Sequence, residues 1–154
     1  IAVVGGSSQT STGRERLGGY QDAMEAAGLS LDPTLHRETD GSRKGAFDAC
    51  YALLDSDNRP DAIAGFNDIA AFGVLACLQH FGLTPGKDIP VVGYDNLEES
   101  QISYPPLTTV DNGQDKVGGI AAQTLLARIV GGEPEHFETL IQPKLVVRST
   151  CGAA

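Results

Sequence analysis

IPVVGYDNLEESQISYPPLTTV, residues Ile89 to Val110, is the stretch from which the fold can be read. Its apolar opening, Ile89 to Val92, stops at Gly93, and Asp95 and Asn96 begin an acidic, amide-bearing loop. A short apolar run closed by turn residues is the pattern of a buried strand emptying into a polar loop. In open α/β sheets ligands bind in the crevice beyond the carboxyl ends of the strands, so this pattern places Asp95 where recognition would occur.

Upstream the same arrangement recurs. Ile1 to Val4 is a β-branched run ended by Gly5 and Gly6, and the small polar loop GGSSQTSTG leads into a helical pattern from about Glu15 to Ala27. Leu17, Tyr20, Met24 and Ala27 repeat there at spacings of three and four, and Gly28 stops the helix. A second strand is expected at Leu35 to Glu38, then a polar turn, Thr39 to Lys44, and a helix over Gly45 to Leu54 with Phe47, Cys50, Tyr51 and Leu54 on one face. After Pro60 comes a third strand, Asp61 to Phe66, and Asn67 and Asp68 cap a third helix that runs through Phe81. Downstream, Leu107 to Val110 reads as a strand, Gln114 to Val130 as a long helix, and Glu138 to Val147 as an extended stretch set off by Gly131, Gly132 and Pro134. Regular alternation of strand and helix forces parallel strands joined by right-handed crossovers. The expected fold is therefore α/β, a doubly wound parallel sheet of the flavodoxin-like class.

Composition narrows the partners. The chain of 154 residues is 41% hydrophobic, enough for a real core, and carries a formal net charge of -9. That charge repels the phosphates of nucleic acid and of anionic membranes. Cys50, Cys77 and Cys151 are odd in number and form no CxxC pair, which points to reduced thiols in a cytoplasmic protein. No apolar run reaches the roughly 18 residues of a membrane span, and no basic-then-apolar leader opens the chain. Ile1 already lies in a strand-like run, so the chain reads as a piece of something longer.

Parallel strands bring the loops after the first four strands to one edge. Those loops hold Ser7, Ser8, Thr10, Thr12 and Arg16, then Asp40, then Asn67 and Asp68, then Asp95 and Asn96. Taken singly, each is explained as a helix cap, a turn former or a surface charge. Together they suit a small polyhydroxylated or charged ligand, because amide, hydroxyl, carboxylate and guanidinium groups converge. Catalysis fits worse. His36, His80 and His136 show no dyad or metal spacing, the GxGxxG and GxSxG motifs are absent, and GLTPGKD, Gly82 to Asp88, leads into a strand instead of leaving one. A Mg²⁺ site at Asp40, Asp68 and Asp95 would need a lysine on a later strand end, and none is well placed. No cofactor, metal or enzymatic activity is expected.

Three stretches carry a family resemblance: RLGGYQDAMEAAGL (Arg16 to Leu29), AIAGFNDIAAFGVLACLQHFGLTPGKDIPVVGYDN (Ala62 to Asn96) and PPLTTVDNGQDKVGGIAAQTLL (Pro105 to Leu126). In order and spacing they resemble the lactose- and purine-repressor (LacI/GalR) family of bacterial transcription regulators. The resemblance implies part of a two-lobed effector-binding core similar to periplasmic sugar-binding proteins. Residues 1–106 would be the second lobe, 107–132 a crossover strand and helix belonging to the first lobe, and 133–154 the return. It implies a small-molecule effector, in the sugar class, held by Arg16, Thr12, Asn67 and Asp95. Where many members stack an aromatic side chain on the ligand, this chain has Asp40 or Gly41 in TDGSRK, which argues against stacking on a purine. It implies DNA contact only through an N-terminal helix-turn-helix absent from this chain, no membrane partner, and a homodimer. Phe72, Val74, Leu75 and Leu78 cannot all face a single sheet at helical periodicity, so some of them, with Tyr104, would be left for the dimer seam. Without the first lobe, the helix before Val130 is expected to pack on a second copy or fold back on its own lobe. A periplasmic sugar-binding protein is the alternative, and a small α/β enzyme a third reading.

Overall fold

A computed structural model describes residues 1–131 and 138–153. In chain order the elements are β1 (Ala2–Val4), α1 (Ser11–Ala26), β2 (His36–Arg37), α2 (Arg43–Leu54), β3 (Ile63–Gly65), α3 (Asp68–His80), β4 (Val91–Tyr94), α4 (Glu99–Ile102), β5 (Thr108–Asp111), α5 (Gln114–Ile129) and β6 (Lys144–Val146). Short 3₁₀ turns lie at Pro33–Leu35 and Ser149–Cys151. The strands form one sheet in the order β2-β1-β3-β4-β5-β6. The first five are parallel, as the alternation dictates, with Val4 beside Gly65 and Val92 beside Thr108. β6 runs antiparallel to β5, pairing Val146 with Thr109, so the last extended stretch returns along the sheet instead of crossing over it.

Helix starts differ from the sequence expectation for one local reason. Thr10 accepts a hydrogen bond from the Gly13 N–H, so α1 opens at Ser11, ahead of Glu15. Ser42 caps α2 in the same way from Gly45, so that helix opens at Arg43. A hydroxyl at the N-cap satisfies one of the orphan amides of the first turn. The shift puts Thr12 and Arg16 one turn apart on α1. α4, in the loop after β4, has no counterpart in the sequence reading.

The core lies between the sheet and the α2–α3 pair, where Leu53, Leu54, Ile63, Val74, Leu78, Val91 and Leu107 are fully buried. β1 and β3 are buried along their whole length, as central parallel strands covered on both faces should be. Phe72, Val74, Leu75 and Leu78 are all buried within this one chain, because α2 covers what the sheet does not. The expectation that part of this set is left for a partner is therefore corrected. Ile102 and Tyr104 stay exposed, Tyr104 at 99%.

Polar groups pin the parallel strands where packing alone would not. Asp68, wholly buried, accepts from the Leu97 N–H at 2.8 Å and from the Ser100 and Thr109 hydroxyls at 2.5 Å each, tying the start of α3 to α4 and β5. The Thr150 hydroxyl accepts from the Thr108 N–H at 2.9 Å and donates to the Val91 carbonyl at 2.7 Å, bridging β5 and β4. Arg148 reaches back to the Leu107 carbonyl and to Asn96 Oδ1, both at 2.7 Å.

α5 is unlike the rest. None of its residues is buried, and Val117, Leu125 and Ile129 are 50%, 60% and 69% exposed. It does not fold back on the sheet. Its apolar face borders an open groove of about 600 Å³ whose other wall is Thr139 to Ile141. Gly132, Pro134, His136 and the expected boundary between residues 132 and 133 lie outside the described residues.

Candidate ligand-binding site

The carboxyl ends of β3, β4 and β5 meet the exposed side of α1, and Arg16 joins them. Its Nη1 donates to the Phe66 carbonyl at 2.7 Å, and its Nη2 lies 3.4 Å from Asp95 Oδ1. The guanidinium carbon sits 3.7 Å from the centroid of the Tyr94 ring and 4.6 Å from that of Phe66. Two aromatic faces and a carbonyl fix the plane of the cation, a use for which arginine is suited and lysine is not. With one edge held by the protein, the looser Nη2 contact leaves the other edge to be shared with an incoming acceptor. The Arg16 and Asp95 side chains are 19% and 17% exposed, so the pair is screened from water without being sealed.

Asp95 is shaped by its backbone as well. It has φ 117°, and Asn96 has φ 52°, conformations that side-chain-bearing residues rarely adopt. Two such residues in succession at the mouth of a crevice are a local strain of the kind that collects at functional sites. The turn persists because its ends are tied: the Asp95 N–H donates to the Val110 carbonyl at 2.8 Å, and Asn96 Oδ1 is held by Arg148. Burial pushes the Asp95 carboxyl above its ordinary pKa; Arg16 pulls it back and the Asp68 charge adds to the rise. Burial wins because the Arg16 contact is long.

Of the residues singled out from sequence, Arg16, Asp95 and Thr12 are brought together. Thr12 lies on the wall of a hollow of about 540 Å³ that it shares with Arg16, Tyr20 and Tyr94. Asn67 is adjacent through its neighbour Phe66, but its Oδ1 is used as the N-cap of α3, accepting from the Ala70 N–H at 2.9 Å. Asp40 stands apart. Its carboxylate closes its own turn, accepting from the Ser42 N–H at 2.9 Å and hydroxyl at 2.6 Å, and those bonds lower its pKa. It touches neither Arg16 nor Asp95. Asp68 is equally occupied by its three internal donors, so Asp40, Asp68 and Asp95 do not form one carboxylate cluster, and among the described residues no group of three possible metal ligands is assembled. His80, at the end of α3, packs with its ring 6.0 Å from that of Phe47 and against Tyr51 and Phe81.

Two contributors escaped the sequence reading. Tyr94 supplies the platform under Arg16. Asn112 sits just past β5, donates from Nδ2 to Asp95 Oδ1 at 3.1 Å, and keeps its own buried Oδ1 without a hydrogen-bond partner. The loop after the fifth strand reaches the same edge as the first four, and extending the strand-end argument to it would have found Asn112.

A periplasmic binding protein-like domain is recognised over residues 1–151. The chain belongs to the periplasmic binding protein-like family. Relatives that it matches include regulators of transcription. The HTH-type transcriptional repressor PurR of Vibrio campbellii is 37% identical over 97% of this chain and 45% of its own length. A LacI-family regulatory protein from Chloroflexus aggregans superposes with a TM-score of 0.90 at 32% identity, over 99% of this chain and 55% of that one. A transcriptional regulator solved as a CelR–cellobiose complex superposes with a TM-score of 0.87 at 31% identity, over 97% of this chain and 46% of that one. This periplasmic binding protein-like chain thus spans about half the length of the relatives it matches. Among its described residues no helix is long and apolar enough to cross a membrane.

Proposed function

We propose that this chain is the effector-sensing part of a bacterial DNA-binding transcriptional regulator, and that its effector is a small polyhydroxylated metabolite of the sugar class. The observation that carries the reading is the cluster at the strand ends: Arg16 stacked on Tyr94, Asp95 beside it, and Asn112 offering an unpaired acceptor. Neighbouring hydroxyls on a sugar ring present donors to Asp95 and Asn112 and an acceptor to Arg16 in one plane. Thr12 and the Asn67 amide nitrogen extend the same edge. The cellobiose in one structural relative supports the ligand class, and the departure at Asp40 and Gly41 argues against an aromatic lid. Effector binding acts on DNA by favouring one of two arrangements of a two-lobed core, with residues 107–132 serving the other lobe.

Calorimetric titration of the full-length protein against a sugar panel that includes cellobiose tests this. Arg16→Ala should lose at least about 1.5 kcal/mol of binding free energy, the value of a charged hydrogen bond, with an unchanged unfolding transition. Unaltered titration in that variant would remove Arg16 from the site; a panel in which nothing binds would remove the sugar class. We propose further that the full-length protein is a homodimer, supported by the exposed Ile102 and Tyr104 beside the Arg43–Glu99 ion pair. Sedimentation at micromolar concentration should give twice the chain mass, and a monomer would rule the dimer out.

A further inference from the structure

The two buried cysteines stand on the close contact between α2 and α3. α2 and α3 follow successive parallel strands over the same face of the sheet, and their contacts climb together. The Arg43 guanidinium lies 5.0 Å from the Phe72 ring centroid, Phe47 lies 6.0 Å from His80, and Tyr51 lies 5.0 Å from Phe81. A Cβ added at Gly73 would come within 2.8 Å of Ala46 Cβ and would also meet the Arg43 carbonyl, so the two backbones approach more closely than side chains ordinarily permit. Cys50 is one turn beyond Ala46 and Cys77 one turn beyond Gly73. Residues four apart lie on the same helix face, so the thiols are carried onto the facing ridges of two parallel helices, one turn beyond that close approach. Both are 0% exposed. Cys151, in the turn beside Arg148, is elsewhere and partly exposed.

We propose that Cys50 and Cys77 are a redox pair that closes to a disulfide under hydroperoxide and clamps α2 to α3. The reading is independent of the effector site. The nearness of the two sulfurs raises the Cys50 pKa, with burial adding to the rise, and lowers that of Cys77 against the opposing effect of burial. Cys77 is therefore the nucleophile. Its thiolate attacks one peroxide oxygen, the O–O bond breaks, and the other oxygen leaves as alkoxide and takes a proton to become the alcohol. Cys77 is left as a sulfenic acid. Cys50 then attacks that sulfur, the S–O bond breaks, and hydroxide departs as water with the Cys50 proton. Two electrons pass from the thiols to the peroxide, and two thiols plus one hydroperoxide give a disulfide, an alcohol and water. Burial makes the first step slow, since peroxide enters only as the helices part, and the second fast, since the resolving thiol already stands on the facing helix.

The test uses the whole chain carrying Cys151→Ser, treated with tert-butyl hydroperoxide in the folded state. The expected product has lost the mass of two hydrogen atoms, yields a peptide joining Cys50 to Cys77, and returns to the starting mass with dithiothreitol. Closing the loop between them restricts the unfolded chain, so the unfolding midpoint should rise by about 5 °C or more. In a Cys50→Ala variant, which also loses the partner that lowers the Cys77 pKa, the reaction should run more slowly and halt at a dimedone-trappable sulfenic acid on Cys77. Two thiols still titratable in denaturant after peroxide, or oxygen added to one cysteine without a link, would overturn the pairing. A link formed with a lowered midpoint would overturn the clamp. Should Cys50→Ala fail to fold, the mass and peptide map of the Cys151→Ser protein decide alone.

Discussion

α3 and α5 are both apolar helices launched from the end of a parallel strand, yet one has nine buried residues and the other none. α3 is apolar nearly all round, and it is enclosed by the sheet on one side and α2 on the other. A helix of that kind makes sense only when buried. α5 carries a single apolar stripe, Val117, Ile120, Ala121, Leu125 and Ile129, cut to fit one surface that these described residues do not provide. The comparison teaches that the width of the apolar arc tells how many neighbours a helix needs, while the sequence is silent on which ones.

The comparison breaks most sharply at a single leucine. Leu78→Ala empties a fully buried site and should cost about 2–5 kcal/mol in urea unfolding of this chain, whereas Leu125→Ala, at a site 60% exposed, should stay within about 0.5 kcal/mol. A loss above about 1 kcal/mol for Leu125→Ala would mean that α5 is covered in solution. Glycine gives a smaller contrast with opposite signs. Gly73→Ala drives a methyl against Ala46 and the Arg43 carbonyl and should destabilise by about 1–3 kcal/mol; Gly118→Ala meets nothing within 4 Å and should stabilise by about 0.5–1 kcal/mol through helix propensity. Equal effects at the two glycines would erase the distinction between the helices.

The smallest expected effect is a pH dependence, and it sharpens the contrast between the packed body and the ligand edge. Burial raises the Asp95 pKa in the folded state. Between the ordinary carboxylate value and the raised one, the folded state binds more protons than the unfolded, so stability is full below the ordinary value and is lost as pH rises through the raised one. Asp95→Asn should remove that slope in denaturation curves taken across the acid range. Effector affinity runs the other way. In the proposed binding mode it uses the carboxylate, and should weaken on acidification at a higher pH than an ordinary aspartate would give.

Much of this architecture was legible because periodicity and punctuation are local. The βα alternation, the strand ending at Gly93 and the edge position of Asp95 follow from runs of apolar residues and the turns between them. The Arg16–Asp95 contact spans 79 residues and was reachable only through topology, which brings strand ends together. Asp68 was not legible: an aspartate at the first turn of a helix reads as a cap, and nothing local says that a serine and a threonine far along the chain will donate to it. Nor was the direction of β6, since a strand returning antiparallel has the same composition as one arriving parallel. Asp40 stands at a strand end, as the alternation implies, and its carboxylate closes on Ser42, two residues on.

Thr150 has a consequence in time. Its hydroxyl completes the seam between β4 and β5 through a bond to Val91, which precedes it by 59 residues. On a ribosome that seam cannot be finished when its strands emerge. A nascent chain stalled anywhere short of Thr150 holds β4 and β5 with the Val91 carbonyl and the Thr108 amide still bare, so this seam must wait for a residue made 59 positions after Val91.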